Sequence, residues 1–218
     1  WKSSAPRGPK VIVTGDSFTE TFTTWPQMMG WLLGWRDIAI VGKGSTGYLD
    51  ISAGGDTFRD RAQKDIYDQN PDIVIVSGGL NDNNRSYASI LAEANTFFAE
   101  IRAELPDAIL IVSGVQYVFG AADSGIVPVR DAVRTAAATY ADAYIEQIGG
   151  PYPYSGVDAN YTDAGWMTGL GKVGATTGTG NSDIFRSADN THPTQAGQDY
   201  RGFRHAQAIA AAMPIGGL

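Results

Sequence analysis

The chain has 218 residues, a net charge of −7, 18% charged and 43% hydrophobic residues, 27 glycines and no cysteine. An acidic chain offers no basic face for nucleic acid, and without cysteine there is no disulfide, thiolate metal site or cysteine nucleophile. No apolar run approaches the roughly 20 residues that cross a bilayer, so no membrane span is expected. The length suits one domain, taken as residues 1–218 with a long irregular loop at about 149–187.

Residues 11–13 are β-branched and apolar and run into Gly15, which predicts a buried parallel strand. Trp25, Trp31 and Trp35 lie in or near a first helix, and residues 39–41 form a second strand ending at Gly42. Residues 57–69 read as a helix capped by Asp56 and stopped before Pro71. A third strand, 73–76, ends at Gly78-Gly79, and residues 87–105 form a long helix between Ser86 and Pro106. A fourth strand, 109–112, ends at Gly114, and an Ala-rich helix follows from Pro128 to about Tyr140. Residues 144–148 suggest a fifth strand, and residues 194–213 a last helix ended by Pro214. Strand–helix alternation of this kind predicts an α/β fold, a three-layer α/β/α sandwich on a mostly parallel five-stranded sheet. Ligands of such sheets bind beyond the carboxyl ends of the strands.

Ser17, in Gly15-Asp16-Ser17, directly follows the first strand. It is placed as a nucleophile or as a helix cap. His192, in Asp189-Asn190-Thr191-His192, precedes the last helix. Asp189 three residues earlier can reach Nδ1 and leave Nε2 free as a base. The other histidine, His205, reads as a surface or partly packed helix residue. Asn81, after the third strand, can donate its side-chain amide to an oxyanion or close an Asx-turn. The N–H of Gly47 is a further oxyanion donor, or Gly47 belongs to a tight turn. Together these are the parts for acyl transfer.

The sequence resembles the SGNH (GDSL-like) serine hydrolases. Gly15-Asp16-Ser17 looks like the nucleophile block, and Gly44-Ser45-Thr46-Gly47 like the block whose last glycine supplies an oxyanion N–H. Gly79-Leu80-Asn81-Asp82 matches Gly-x-Asn-Asp, and Asp189 to His192 matches Asp-x-x-His. The blocks occur in family order and span most of the chain. Phe18 stands where leucine is frequent, Gly42 where asparagine is frequent, and Thr46 where serine is usual. The resemblance implies the flavodoxin-like SGNH fold and catalytic roles for Ser17, Asp189 and His192. It also implies an oxyanion hole of the Ser17 N–H, the Gly47 N–H and Asn81. Asp16 and Asp82 are assigned to hydrogen bonding of the surrounding loops. No cofactor or metal is implied.

Gly42-Lys43-Gly44-Ser45-Thr46-Gly47 also matches the dinucleotide fingerprint, but it follows the second strand and opens no helix. A G-x-S-x-G elbow is missing. The expected substrate is a small acyl ester or an acylated glycan, with a lean toward O-acetyl groups on carbohydrate. Lipids, thioesters and a non-catalytic glycan-binding adhesin module are the alternatives. Trp166, Tyr117 and Tyr48 are expected at the substrate, with Trp166 and the irregular loop forming one wall of the cleft. The tyrosines at 152, 154 and 161 belong to the same loop. The chain begins at Trp1 rather than Met, which reads as a processed product or part of something longer. The expected setting is extracellular or within a larger surface or virion protein, and a cytoplasmic one is equally compatible with the missing cysteines.

Overall fold

The structure, a computed structural model, describes residues 8–20, 23–51, 55–116, 125–148 and 165–213. Five strands, β1 (Lys10–Gly15), β2 (Asp37–Ile40), β3 (Ile73–Ser77), β4 (Ile109–Ser113) and β5 (Ala143–Ile145), form one sheet. Their order is β2-β1-β3-β4-β5, and every neighbouring pair is parallel. The helices are α1 (Trp25–Leu33), α2 (Ala62–Asp65), α3 (Tyr87–Glu104), α4 (Val127–Tyr140), α5 (Ser182–Phe185) and α6 (Gln195–Ala212).

Alternating side chains divide the core between the two faces of the sheet. Ile12, Val74, Val76, Leu110 and Val112 pack with Phe97 and Phe98 of α3 and with Val129 and Val133 of α4. Val11, Val13, Ile73, Ile75 and Ile111 pack on the other face with Trp25 and Met29 of α1 and Ile209 of α6. The central strands are buried along nearly their whole length, which is why they read as unbroken apolar runs. Among the described residues no helix is long and apolar enough to cross a membrane.

The register aligns the carboxyl ends of the strands. Gly15 lies opposite Ser77, Ser77 opposite Ser113, and Ser113 opposite Ile145. From β1 the chain moves outward to β2 on one side, then returns to β3 on the other. The crevice therefore opens where β1 and β3 end. Gly15 is required there: a Cβ on it would lie 1.7 Å from the Ser77 carbonyl oxygen.

The long helices and the strands match the sequence expectation, with differences of one to three residues at their ends. The helix expected over 57–69 does not form as one piece. Asp56 pairs with Lys43, while the Asp60 carboxylate takes the Thr57 N–H and closes a turn there. Only α2 and a 3-10 turn at Tyr67–Gln69 are helical.

Candidate active site

Ser17 opens a single 3-10 turn, Ser17–Thr19, immediately after β1. Buried Asp16 caps this turn: one carboxylate oxygen accepts the Phe18 N–H (3.0 Å) and the other the Gly79 N–H (3.3 Å). The same carboxylate thus ties the end of β1 to the end of β3. Burial pushes the Asp16 carboxyl up to about 6, against those two N–H groups, which favour the anion. Further bonds fasten the turn to the loop after β2. The Gly42 N–H donates to the Thr19 carbonyl, the Lys43 N–H to the Gly15 carbonyl, and the Gly44 N–H to Glu20 Oε1. The Arg61 guanidinium bridges the carbonyls of Val41 and Gly15. None of these long-range partners has a local signal in the sequence.

His192 reaches the same place from the other end of the chain. Its Nε2 lies 3.0 Å from Ser17 Oγ, and its Nδ1 lies 2.8 Å from Asp189 Oδ2. The turn that holds this pair is closed by the other oxygen of Asp189. That oxygen accepts the Ser187 hydroxyl and the N–H groups of Thr191 and His192. Asn190 supplies the left-handed residue of the turn (φ 71°), a conformation asparagine tolerates better than most side chains. The Arg186 guanidinium clamps its carbonyl and side-chain oxygens. Partial burial raises the Asp189 carboxyl, but the bonds from Ser187, Thr191 and His192 outweigh it and hold the group well below the usual carboxylate range. An ionised carboxylate only accepts, so Nδ1 carries the imidazole proton and the Nε2 lone pair faces the Ser17 hydroxyl.

Asn81 lies in the 3-10 turn Leu80–Asp82 after β3, and its amide nitrogen donates to the Thr46 carbonyl (2.9 Å). That bond uses one of the two amide hydrogens. Buried Asp82 next to it accepts the consecutive N–H groups of Tyr48, Leu49 and Asp50. Gly47 fits against this carboxylate, and a Cβ there would come within 2.3 Å of Asp82 Oδ2. Contrary to expectation, the Gly47 N–H is already engaged, donating to the Asp50 carbonyl (2.9 Å).

The residues expected at the substrate separate. Tyr48 is a core residue, 1% exposed, with its ring edge-on to Phe58 and Phe98. The bonds to Asp82 draw its backbone inward and carry the ring with it. Trp166 is also a core residue, part of the cluster that holds Val11, Val13 and Trp25. It stands edge-on to His205 (4.7 Å), its N–H donates to the Gln147 carbonyl, and its own carbonyl accepts from Asn181 and Tyr200. The 350 Å³ cavity beside it is lined by Tyr144, Ile145, Glu146, Arg204, Gln207 and Ala208, not by Ser17 or His192. Trp166 therefore anchors the loop rather than walling the cleft. Tyr117 and residues 149–164, with the three loop tyrosines, lie outside the described residues.

His205 corrects the sequence reading as well. It is fully buried, stacked on Trp25 at 4.0 Å, with Nδ1 donating to the Arg201 carbonyl and Nε2 accepting from Ser113 Oγ (2.8 Å). Burial pulls its pKa down to about 3, so the ring is neutral.

A three-layer sheet with a serine after β1 and an Asp–His turn before the last helix defines a class of hydrolases that act through a serine. The comparisons agree. The model of the GDSL-like lipase/acylhydrolase family matches residues 13–200, and the chain belongs to that family. No curated protein is close enough in sequence to count as a relative. Solved structures with the same fold include the lipase/acylhydrolase from Enterococcus faecalis, at 18% identity and a TM-score of 0.56, covering 93% of this chain and 96% of that one. A variant of an acetyl-xylooligosaccharide esterase from Geobacillus Stearmophilus matches at 15% identity and a TM-score of 0.59, over 97% and 96% of the two chains. A carbohydrate esterase family 2 enzyme with a carbohydrate-binding domain, from Corynascus thermopiles, matches at 18% identity and a TM-score of 0.60, over 98% of this chain and 69% of that one.

Proposed function

We propose that this enzyme is a serine esterase that removes short acyl groups, O-acetyl in particular, from carbohydrate. The observation that carries the reading is the unbroken hydrogen-bond line from Ser17 Oγ through His192 to Asp189. Ser17 attacks the ester carbonyl as His192 Nε2 takes its proton, and ionised Asp189 stabilises the imidazolium. The Ser17 N–H and the second amide hydrogen of Asn81 are the proposed oxyanion donors. The Ser17 N–H heads a helical turn, where an N–H has no intrahelical acceptor. The imidazolium then protonates the departing alcohol. A water molecule, deprotonated by the same imidazole, hydrolyses the acyl-enzyme and restores Ser17. The steps need no cofactor.

The acyl and carbohydrate part of the reading draws on the names of two similar structures, a carbohydrate esterase and an acetyl-xylooligosaccharide esterase. It also draws on the polar, aromatic and glycine-rich sequence of residues 149–187, which leads into the turn. The test is release of acetate from acetylated xylan, run beside hydrolysis of p-nitrophenyl acetate and a long-chain p-nitrophenyl ester. The expected result is turnover of the two acetyl substrates and none in Ser17→Ala. Preference for the long-chain ester without acetate release would make the enzyme a lipase. No turnover of any ester would leave a binding module.

A further inference from the structure

His192 is gripped at the two ends of its ring, by Ser17 at Nε2 and by Asp189 at Nδ1. The imidazole is also tethered through Cβ to a backbone whose N–H is held by Asp189, which leaves the faces of the ring for neighbouring side chains to pack. The His192 side chain is 38% exposed, so packing does not close around it on every side. A contact on a ring face damps libration about the line of the two hydrogen bonds and so sharpens the aim of the Nε2 lone pair at Ser17.

We propose that Phe18 and Arg201 form a buried positioning pair that holds the His192 imidazole against Ser17. This rests on the esterase reading above. The Phe18 ring centre lies 5.5 Å from that of His192, the planes inclined by 41°. Phe18 is itself immobilised: its N–H donates to Asp16, its carbonyl accepts the Trp25 indole N–H (2.6 Å), and it is 1% exposed. Behind it the Arg201 guanidinium carbon lies 4.8 Å from the ring centre. A leucine in place of Phe18 would have no π face to offer a guanidinium.

Arg201 is an expensive residue to keep there. It is 3% exposed, and its Nε and Nη1 have no hydrogen-bond partner among the described residues. Unpaired buried donors of this kind destabilise a fold, and charged ones do so most. An apolar side chain of similar volume would fill the site at less cost. The guanidinium is nevertheless charged at neutral pH: burial pulls it down only to about 10, and the Asp16 carboxylate opposes that fall. Its favourable contacts are the Phe18 ring and the field of Asp16. Arg201 sits on α6, which starts right after the catalytic turn, and its carbonyl accepts the His205 Nδ1 proton. The base and its support thus lie close in sequence, on either side of the start of α6.

The test compares Phe18→Leu and Arg201→Met with the wild type in p-nitrophenyl acetate kinetics, melting temperature and the proton NMR signal of the His192 Nδ1–H. A displaced imidazole should lower kcat by about 10- to 100-fold with little change in KM. The Nδ1–H signal should broaden into exchange with water, and Arg201→Lys should recover part of both losses. Phe18→Leu keeps an apolar filler, so it reports even if Arg201→Met does not fold. A folded Phe18→Leu with wild-type kcat and a sharp Nδ1–H signal would overturn the proposal. The NMR signal does not depend on turnover, so failure of the esterase reading and failure of the positioning pair are separately visible.

Discussion

The described residues include two serine–histidine pairs of almost the same length. Ser17 and His192 are 3.0 Å apart in the crevice, and Ser113 and His205 are 2.8 Å apart at the end of β4, in the core. What differs is the far side of each imidazole and the access to each serine. His192 Nδ1–H donates to an ionised carboxylate, a partner able to stabilise an imidazolium. His205 gives its proton to a backbone carbonyl, and burial between Trp25 and Trp166 holds it neutral. Ser113 is 0% exposed and also accepts from Gln147, so no ester can reach it. Proximity of serine and histidine is therefore not enough for a nucleophile: the charge that develops must have a stabilising partner, and the hydroxyl must be reachable. The second pair is a joint that ties β4, β5 and α6 together.

The largest effect should separate the two pairs. Ser17→Ala or His192→Ala should lower kcat on p-nitrophenyl acetate by roughly 10⁴- to 10⁶-fold. Ser113→Ala should keep kcat and lose about 1–3 kcal/mol of stability, because it leaves His205 Nε2 without its donor. Loss of turnover in a folded Ser113→Ala would erase the distinction. Next comes the oxyanion side of the crevice. Asn81→Ala should lower kcat about 10²- to 10³-fold with little change in KM. A melt run beside the kinetics exposes the alternative, in which Asn81 only braces the Thr46 carbonyl and the loss is one of stability. The smallest effect is in the pH dependence. Native His205 stays unprotonated down to about pH 3, while the unfolded chain takes up that proton near 6.5. Its contribution is therefore full above 6.5 and falls as the pH drops. The stability gap between wild type and His205→Gln should narrow by about 3 kcal/mol from pH 7 to pH 4. A gap that does not change with pH would mean that His205 can charge in the folded protein.

The sheet was legible because its strands are buried on both faces and so stand out as apolar runs closed by glycine turns. The Asp189–His192 turn was legible because the two residues are local to each other, and the place of Ser17 because it directly follows a strand. The joint was not. The inward face of α6 is made of Gly197, Gln198, Arg201, Gly202, His205, Ala206 and Ile209, so hydrophobic periodicity gives no sign that His205 is buried. Trp166 and Tyr48 were misplaced for a related reason. Their loops turn inward through long-range bonds, from Asn181 and Tyr200 to the Trp166 carbonyl and from the Tyr48 N–H to Asp82. The engaged N–H of Gly47 likewise depends on where the Asp50 carbonyl folds back, which the block Gly44 to Gly47 does not encode.

The central claim, that the crevice pair is the reactive one and the core pair is not, is tested most directly by labelling the native protein with a fluorophosphonate probe and mapping the adduct by mass spectrometry. One adduct per chain on Ser17, lost in His192→Ala and retained in His205→Gln, is the result expected. An adduct on Ser113 or another serine, or undiminished labelling in His192→Ala, would contradict it.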